Sequence, residues 1–271
     1  VLLPYDEHYL GLTAETLRRT SPRMFAFMAH DRGTLAGTML GLGWLYVALA
    51  WQGVRRGRHG ARTVVIASAL AGFASFFAFF GFGYFDTLHA FVAAVLFQLT
   101  VQIMIGEEGG EPAPLHVIDD EDSAWRSAQW GQLLWVVHAS GLLIAGAVIL
   151  GIGVTSVFVS EDLKFLCMTE AQAQELGAKM TGVVAHDRAT LGGMLLASGV
   201  GMLLSVLWCF QRGARWLWWA IAGLGFPAYA AAIAVHLEVG YTDWRHLAPA
   251  LAGLGLWLGG LLLSRAYLRG A

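Results

Sequence analysis

Charge is scarce in this chain. Of its 271 residues, 13% are Asp, Glu, Lys or Arg, where a soluble domain carries roughly 25%. The mean hydropathy is +0.59 and 57% of the residues are hydrophobic. Lysine stands only at Lys164 and Lys179. Neither falls in the last apolar run, so retinal, which needs a Schiff-base lysine there, is disfavoured. The net charge of −2 gives no basic surface for nucleic acid. Two cysteines, Cys167 and Cys209, form no metal-binding pair. The spacing expects them at opposite sides of a membrane, too far apart for a disulfide. HExxH, HxxxH, phosphate-loop and serine-triad patterns do not occur. The alternating ten-residue segments of a membrane barrel are also missing.

What remains is a set of apolar runs of bilayer-spanning length. They predict an all-α, polytopic transmembrane bundle with spans at 24–51, 62–83, 87–105, 128–152, 181–210, 215–237 and 244–265. Arginine orients them. VRRGRHGAR (54–62), QRGAR (211–215) and the tail SRAYLRG (264–270) are basic and belong on the cytoplasmic side. The acidic EEGGEPAPLHVIDDED (107–122) falls on the same side, since carboxylates weigh little in that rule. The expected location is the cytoplasmic membrane of a bacterium, with the lipid bilayer as the first partner. Trp51, Trp208, Trp216, Trp218 and Trp219 read as anchors at the inner boundary. Gly37 and Gly41, and Gly255 and Gly259, are small-xxx-small pairs for close helix contact. Pro227 is expected to kink the sixth span.

The segments assigned to the outer side repeat. VLLPYDEHYLGLT (1–13) aligns with VFVSEDLKFLCMT (157–169), and MAHDRGTLAG (28–37) with VAHDRATLGG (184–193), both at an offset of 156. GYFDTLH (83–89) aligns with GYTDWRH (240–246) one residue further on. Pairs of motifs at nearly constant spacing mark an internal duplication. Residues 1–105 form the first repeat, 106–127 an acidic linker and 128–271 the second repeat. The fourth span precedes the second copy, so an equivalent eighth span is expected before residue 1, completing two four-helix units.

The motifs carry the chemistry. Thr13 and Thr169 are expected to cap short surface helices, the latter with Gln172 at capping-box spacing. Ser21-Pro22 is expected to start the first span. The apolar turns before His30 and His186 sink each His-Asp-Arg triplet to the hydrocarbon edge, beneath a surface lid. Neighbours on a helix point about 100° apart, so Asp31 and Arg32 each need partners elsewhere. Proximity in sequence gathers Asp6, His30, Asp31, Arg32, Asp86 and His89 into one cluster. Asp162, His186, Asp187, Arg188, Asp243 and His246 form the other. One arginine cannot neutralise three carboxylates, so each cluster needs a protonated histidine, a protonated carboxyl or a bound cation.

Several readings follow. Arg32 and Arg188 tying the lids to the bundle, with Asp86 and Asp243 as helix N-caps, would be purely structural. A divalent metal of the zinc, iron or manganese type suits His30, Asp86 and His89 in one copy and His186, Asp243 and His246 in the other. A proton or anion site on His and Arg competes with it. Haem on His138 or His236 is a weaker candidate, and calcium on IDDED (118–122) weaker still, because EF-hand spacing is absent. At the level of the whole protein, an accessory or scaffold subunit of a larger membrane complex fits best. A membrane enzyme or metal-binding protein is the alternative. A transporter is disfavoured because the ionisable groups lie at the outer edge rather than the midplane.

Overall fold

The computed structural model describes residues 2–56, 59–78, 83–106 and 121–270. Most of the acidic linker, including the start of IDDED, lies outside the described residues. Within them the chain is helical with no strand. Short α1 (Pro4–Leu10) and α2 (Ala14–Thr20) lead into α3 (Pro22–Gln52), then α4 (His59–Ala78), α5 (Thr87–Ile105) and α6 (Ser123–Val154). Short α7 (Ser160–Leu166) and α8 (Glu170–Gln174) lead into α9 (Gly177–Trp208), α10 (Arg215–Val239) and α11 (Trp244–Arg269). Six helices are long and apolar enough to cross a membrane: α3 with its following turn, α5, α6, α9, α10 and α11. The described part of α4 contributes a shorter apolar stretch, Gly60–Ser75.

Helix starts follow local chemistry. Thr13 and Thr169 accept the backbone N–H of Thr16 and Gln172, satisfying donors that a helix start leaves unpaired. Pro22 opens α3 at a position where its missing N–H costs nothing. The Ser21 side chain makes no capping bond. Asp86 and Asp243 cap α5 and α11 by accepting the N–H of His89 and Arg245.

The long helices interleave the two sequence copies. Helix α3 packs along α10, and α9 packs along α4. Each motif helix therefore lies against the span that follows the motif helix of the other copy, while α6 bridges α9 and α11. Gly37 and Gly41 let α3 press on α10, where a side chain at Gly41 would overlap the Leu224 carbonyl. Of the second expected pair, Gly255 faces open space. One core lies along the bundle around Leu45, Leu49, Trp135, Met202, Leu217 and Ile221. A second lies under the short helices around Met24, Phe27, Met28, Val183 and Val184. The polar motifs sit at that end.

Candidate metal centre

The lid helices present their carboxylates inward. Asp6 accepts the Leu3 N–H at 2.7 Å, and Asp162 accepts the Val159 N–H at 2.7 Å. Each is fully buried. Tyr84 donates its hydroxyl to Asp6, and Tyr241 donates to Asp162 at 3.0 Å. Each carboxylate also meets the arginine of its own copy, Asp6 with Arg32 and Asp162 with Arg188, the latter at 2.8 Å. The arginine then reaches into the other copy. Arg32 Nε donates to Asp187 at 2.7 Å, and Arg188 Nε to Asp31 at 3.4 Å. Arg188 also donates to the Val157 carbonyl at 2.7 Å and lies over the Phe27 ring. Burial opposes ionisation of Asp6, but hydrogen bonds from Arg32, Tyr84 and Leu3 outweigh it and hold its carboxyl below the usual range. Burial, together with Asp6 or Asp162, pushes the Tyr84 and Tyr241 hydroxyls up, so both stay protonated donors.

Proximity in sequence put each copy's residues in one cluster, and the structure distributes them across copies. The physical reason is the interleaving of α3 with α10 and of α9 with α4, which sets each motif histidine before the other copy's GYxDxxH turn.

His30 faces α10 and α11. Its Nδ1 lies 2.9 Å from Asp31 Oδ1, a carboxylate also engaged by Arg188. That nitrogen therefore donates, leaving a lone pair on Nε2. His236 Nδ1 lies 2.6 Å from the Ala232 carbonyl, which only accepts, so it too keeps its proton and leaves Nε2 bare. The two Nε2 atoms stand 2.9 Å apart. Two lone pairs do not bond to each other. A cation between them, a proton or a metal ion, is what makes this contact favourable. His246 completes the group, and one ligand atom from each of the three rings falls within 4.8 Å of the others. The Tyr241 ring stacks on His246 at 4.1 Å and 10° and fixes its plane.

The pseudo-equivalent place is built differently. His186 Nδ1 lies 3.1 Å from Asp187. Its Nε2 lies 3.0 Å from His89 Nδ1 and 3.9 Å from Asp86. A proton on His89 Nδ1 makes that an ordinary hydrogen bond, with no cation required. Asp86 also accepts the Tyr5 hydroxyl at 3.2 Å. At the offset of the GYxDxxH motifs, His236 aligns with Phe79, so the third imidazole has no counterpart in the first copy.

Of the residues singled out as metal candidates, His30 and His246 thus meet each other, and His186 meets His89 and Asp86. Asp243 is exposed and serves as a cap. His236, considered above only for haem, joins the histidine centre. His138 does not reach it; its ring nitrogens lie 2.6 Å from the Tyr229 hydroxyl and 3.2 Å from the Met202 sulfur. Tyr84, Tyr241 and His236 were missed as site residues. The two tyrosines were legible as the shared Tyr of the GYxDxxH motifs. His236 carries no repeat signal, and only folding brings it in. No family model, curated protein or solved structure matches the chain.

Proposed function

We propose that this is a membrane protein that binds one divalent transition-metal ion through His30, His236 and His246. The observation that carries the proposal is the pair of Nε2 lone pairs facing each other, with a third imidazole beside them. The donor set fits. Neutral imidazole suits zinc, copper, iron and nickel. His30 and His236 are already oriented through Nδ1 by a carboxylate and a backbone carbonyl, the outer-shell pattern of metal-bound histidine. Tetrahedral zinc with bonds of about 2.0–2.1 Å separates its nitrogens by about 3.3 Å. The His30 and His236 rings need to part by only a few tenths of an ångström, and the His246 donor, within 4.8 Å of theirs, has to draw in. Charge agrees as well. At this end of the bundle the buried Asp6, Asp31, Asp162 and Asp187, with Asp86 beside them, outnumber Arg32 and Arg188, an excess of negative charge that a bound cation reduces.

Three protein ligands leave a coordination position free for water or another ligand, the arrangement of zinc sites that act on substrates rather than hold a fold together. A subunit of a larger membrane complex can use such a centre as readily as a free-standing protein, and copurification in mild detergent separates these two settings.

The test is Co(II) titration of metal-stripped protein, read by visible absorption and elemental analysis. One equivalent should bind with the intense bands of a four-coordinate site. His236→Ala and His246→Ala should abolish it, and His89→Ala should leave it. Failure to bind Co(II) or Zn(II), or binding indifferent to both substitutions, overturns the proposal and leaves a shared proton as the cation.

A further inference from the structure

Helix α6 lies on a defined face of α9. A methyl group added at Gly192 would fall 2.8 Å from the Gly146 carbonyl oxygen, and one at Gly199 would fall 3.1 Å from the Ala139 carbonyl oxygen. Gly153 meets Arg188 and Ala189 with equal closeness. Further along, Gln132 donates to the Val206 carbonyl and His138 meets Met202. Backbone contact of this kind is how membrane helices associate, since lipid supplies no hydrophobic drive between them.

The offset of 156 carries that face onto α3. Gly192 maps to Ala36, Leu196 to Leu40, Gly199 to Gly43, Leu203 to Val47 and Val206 to Ala50. These α3 positions share one side of the helix. In α9 the face is buried or half-buried; in α3 it is exposed at all five positions. Leu40 is 68% exposed and Val47 64%, and nothing lies within 4 Å of a methyl group placed at Gly43.

A second observation is independent of α3. Helix α6 also seats α11, through Gly131 against Ser264 and Trp135 against Gly260. The counterpart of α11 is α5. It rests on α4, and its Phe91, Val95, Phe97 and Leu99 are all exposed. The two helices that would flank a second α6 both leave apolar side chains open, α3 along the stripe that matches the α6-facing side of α9.

We propose that the exposed stripe of α3, with α5 beside it, seats one further membrane-spanning helix supplied by the same polypeptide upstream of Val1. The source follows from the connection. Helix α6 ends at Val154, a few residues before the α7 lid, and runs antiparallel to α9. The α1 lid stands in the same relation to α3. At the repeat offset, the end of an equivalent helix falls immediately upstream of residue 1. That helix carries small residues seven positions apart, matching Gly146 and Gly153, one beside Ala36 and one beside Arg32. Seating it would cover Arg32, whose side chain is 16% exposed against 10% for Arg188.

The test is site-specific photocrosslinking in membranes of cells expressing the complete reading frame. Benzoylphenylalanine is placed at Leu40 and, separately, at Val47, both exposed enough to accept it without disturbing the known core. An intramolecular crosslink from both positions to an apolar segment upstream of residue 1, mapped by mass spectrometry, is the expected result. Adducts confined to lipid, to a second copy or to another protein overturn the proposal. So does a reading frame with no apolar stretch of about 20 residues before residue 1.

Discussion

Removing the Arg32 guanidinium is the sharpest probe of how the two copies are joined. Arg32 donates to buried Asp6 and, at 2.7 Å, to buried Asp187 of the other copy. Arg32→Gln keeps a shorter, uncharged polar side chain and strands two carboxylates away from water. Breaking one partner from a buried ion pair costs about 3–5 kcal/mol, a large share of the roughly 5–15 kcal/mol that holds a domain folded. Much of that cost is the stranded charge rather than the lost attraction. Asp187→Asn in the Arg32→Gln background should therefore recover part of the loss, with a coupling of about 1–3 kcal/mol. Asp31, next to Arg32 in sequence, is engaged by Arg188 and His30. Its coupling to Arg32 should be smaller by at least about 1 kcal/mol. Reversible unfolding in mixed detergent micelles, followed by tryptophan fluorescence, measures Arg32→Gln, Asp187→Asn and Asp31→Asn and the two doubles that pair each aspartate variant with Arg32→Gln. Equal couplings, or a larger one for the sequence neighbour, would refute the exchange of partners between copies.

Other consequences follow from the same geometry. Because the folded-state pKa of Asp6 is depressed, its contribution to stability is present at neutral pH. It is lost as pH falls below the ordinary carboxylate value of about 4 and through the folded-state value. Hydrogen exchange at the Leu3 amide, which donates to Asp6, should accelerate over that acid range, and Asp6→Asn should remove the pH step. Tyr241→Phe deletes a donor to the Asp162 carboxylate and should cost about 1.5–3 kcal/mol in the same unfolding assay. The Co(II) stoichiometry should not change, since the ring stacked on His246 remains. Gly41→Ala should destabilise by about 1–3 kcal/mol through overpacking against the Leu224 backbone. In the chain of residues 1–271, Gly43→Ala, facing open space, should be neutral or slightly stabilising by helix propensity; an equal loss at both positions would contradict the described packing of α3 on α10.

Much of this protein is written locally. The long helices are readable because a bilayer leaves a backbone no choice but to satisfy its own hydrogen bonds. Thr13, Thr169, Asp86 and Asp243 are readable as caps because a cap bonds within three residues of itself. The polar groups of the AHDR motifs are readable as costly and in need of partners, because charge at the edge of hydrocarbon cannot stay bare. Which partners they take is a different matter. Sequence proximity pairs Asp31 and Arg32 with the outer turn of their own copy, whereas the bundle crosses the copies and sends Arg32 to Asp187 and Arg188 to Asp31. His236 has no repeat partner, and nothing in its apolar neighbourhood marks it out. It joins His30 and His246 because α3 presses on α10 at Gly37 and Gly41. Spacing along one helix cannot encode a convergence among three, so the histidine centre exists only at the level of tertiary packing.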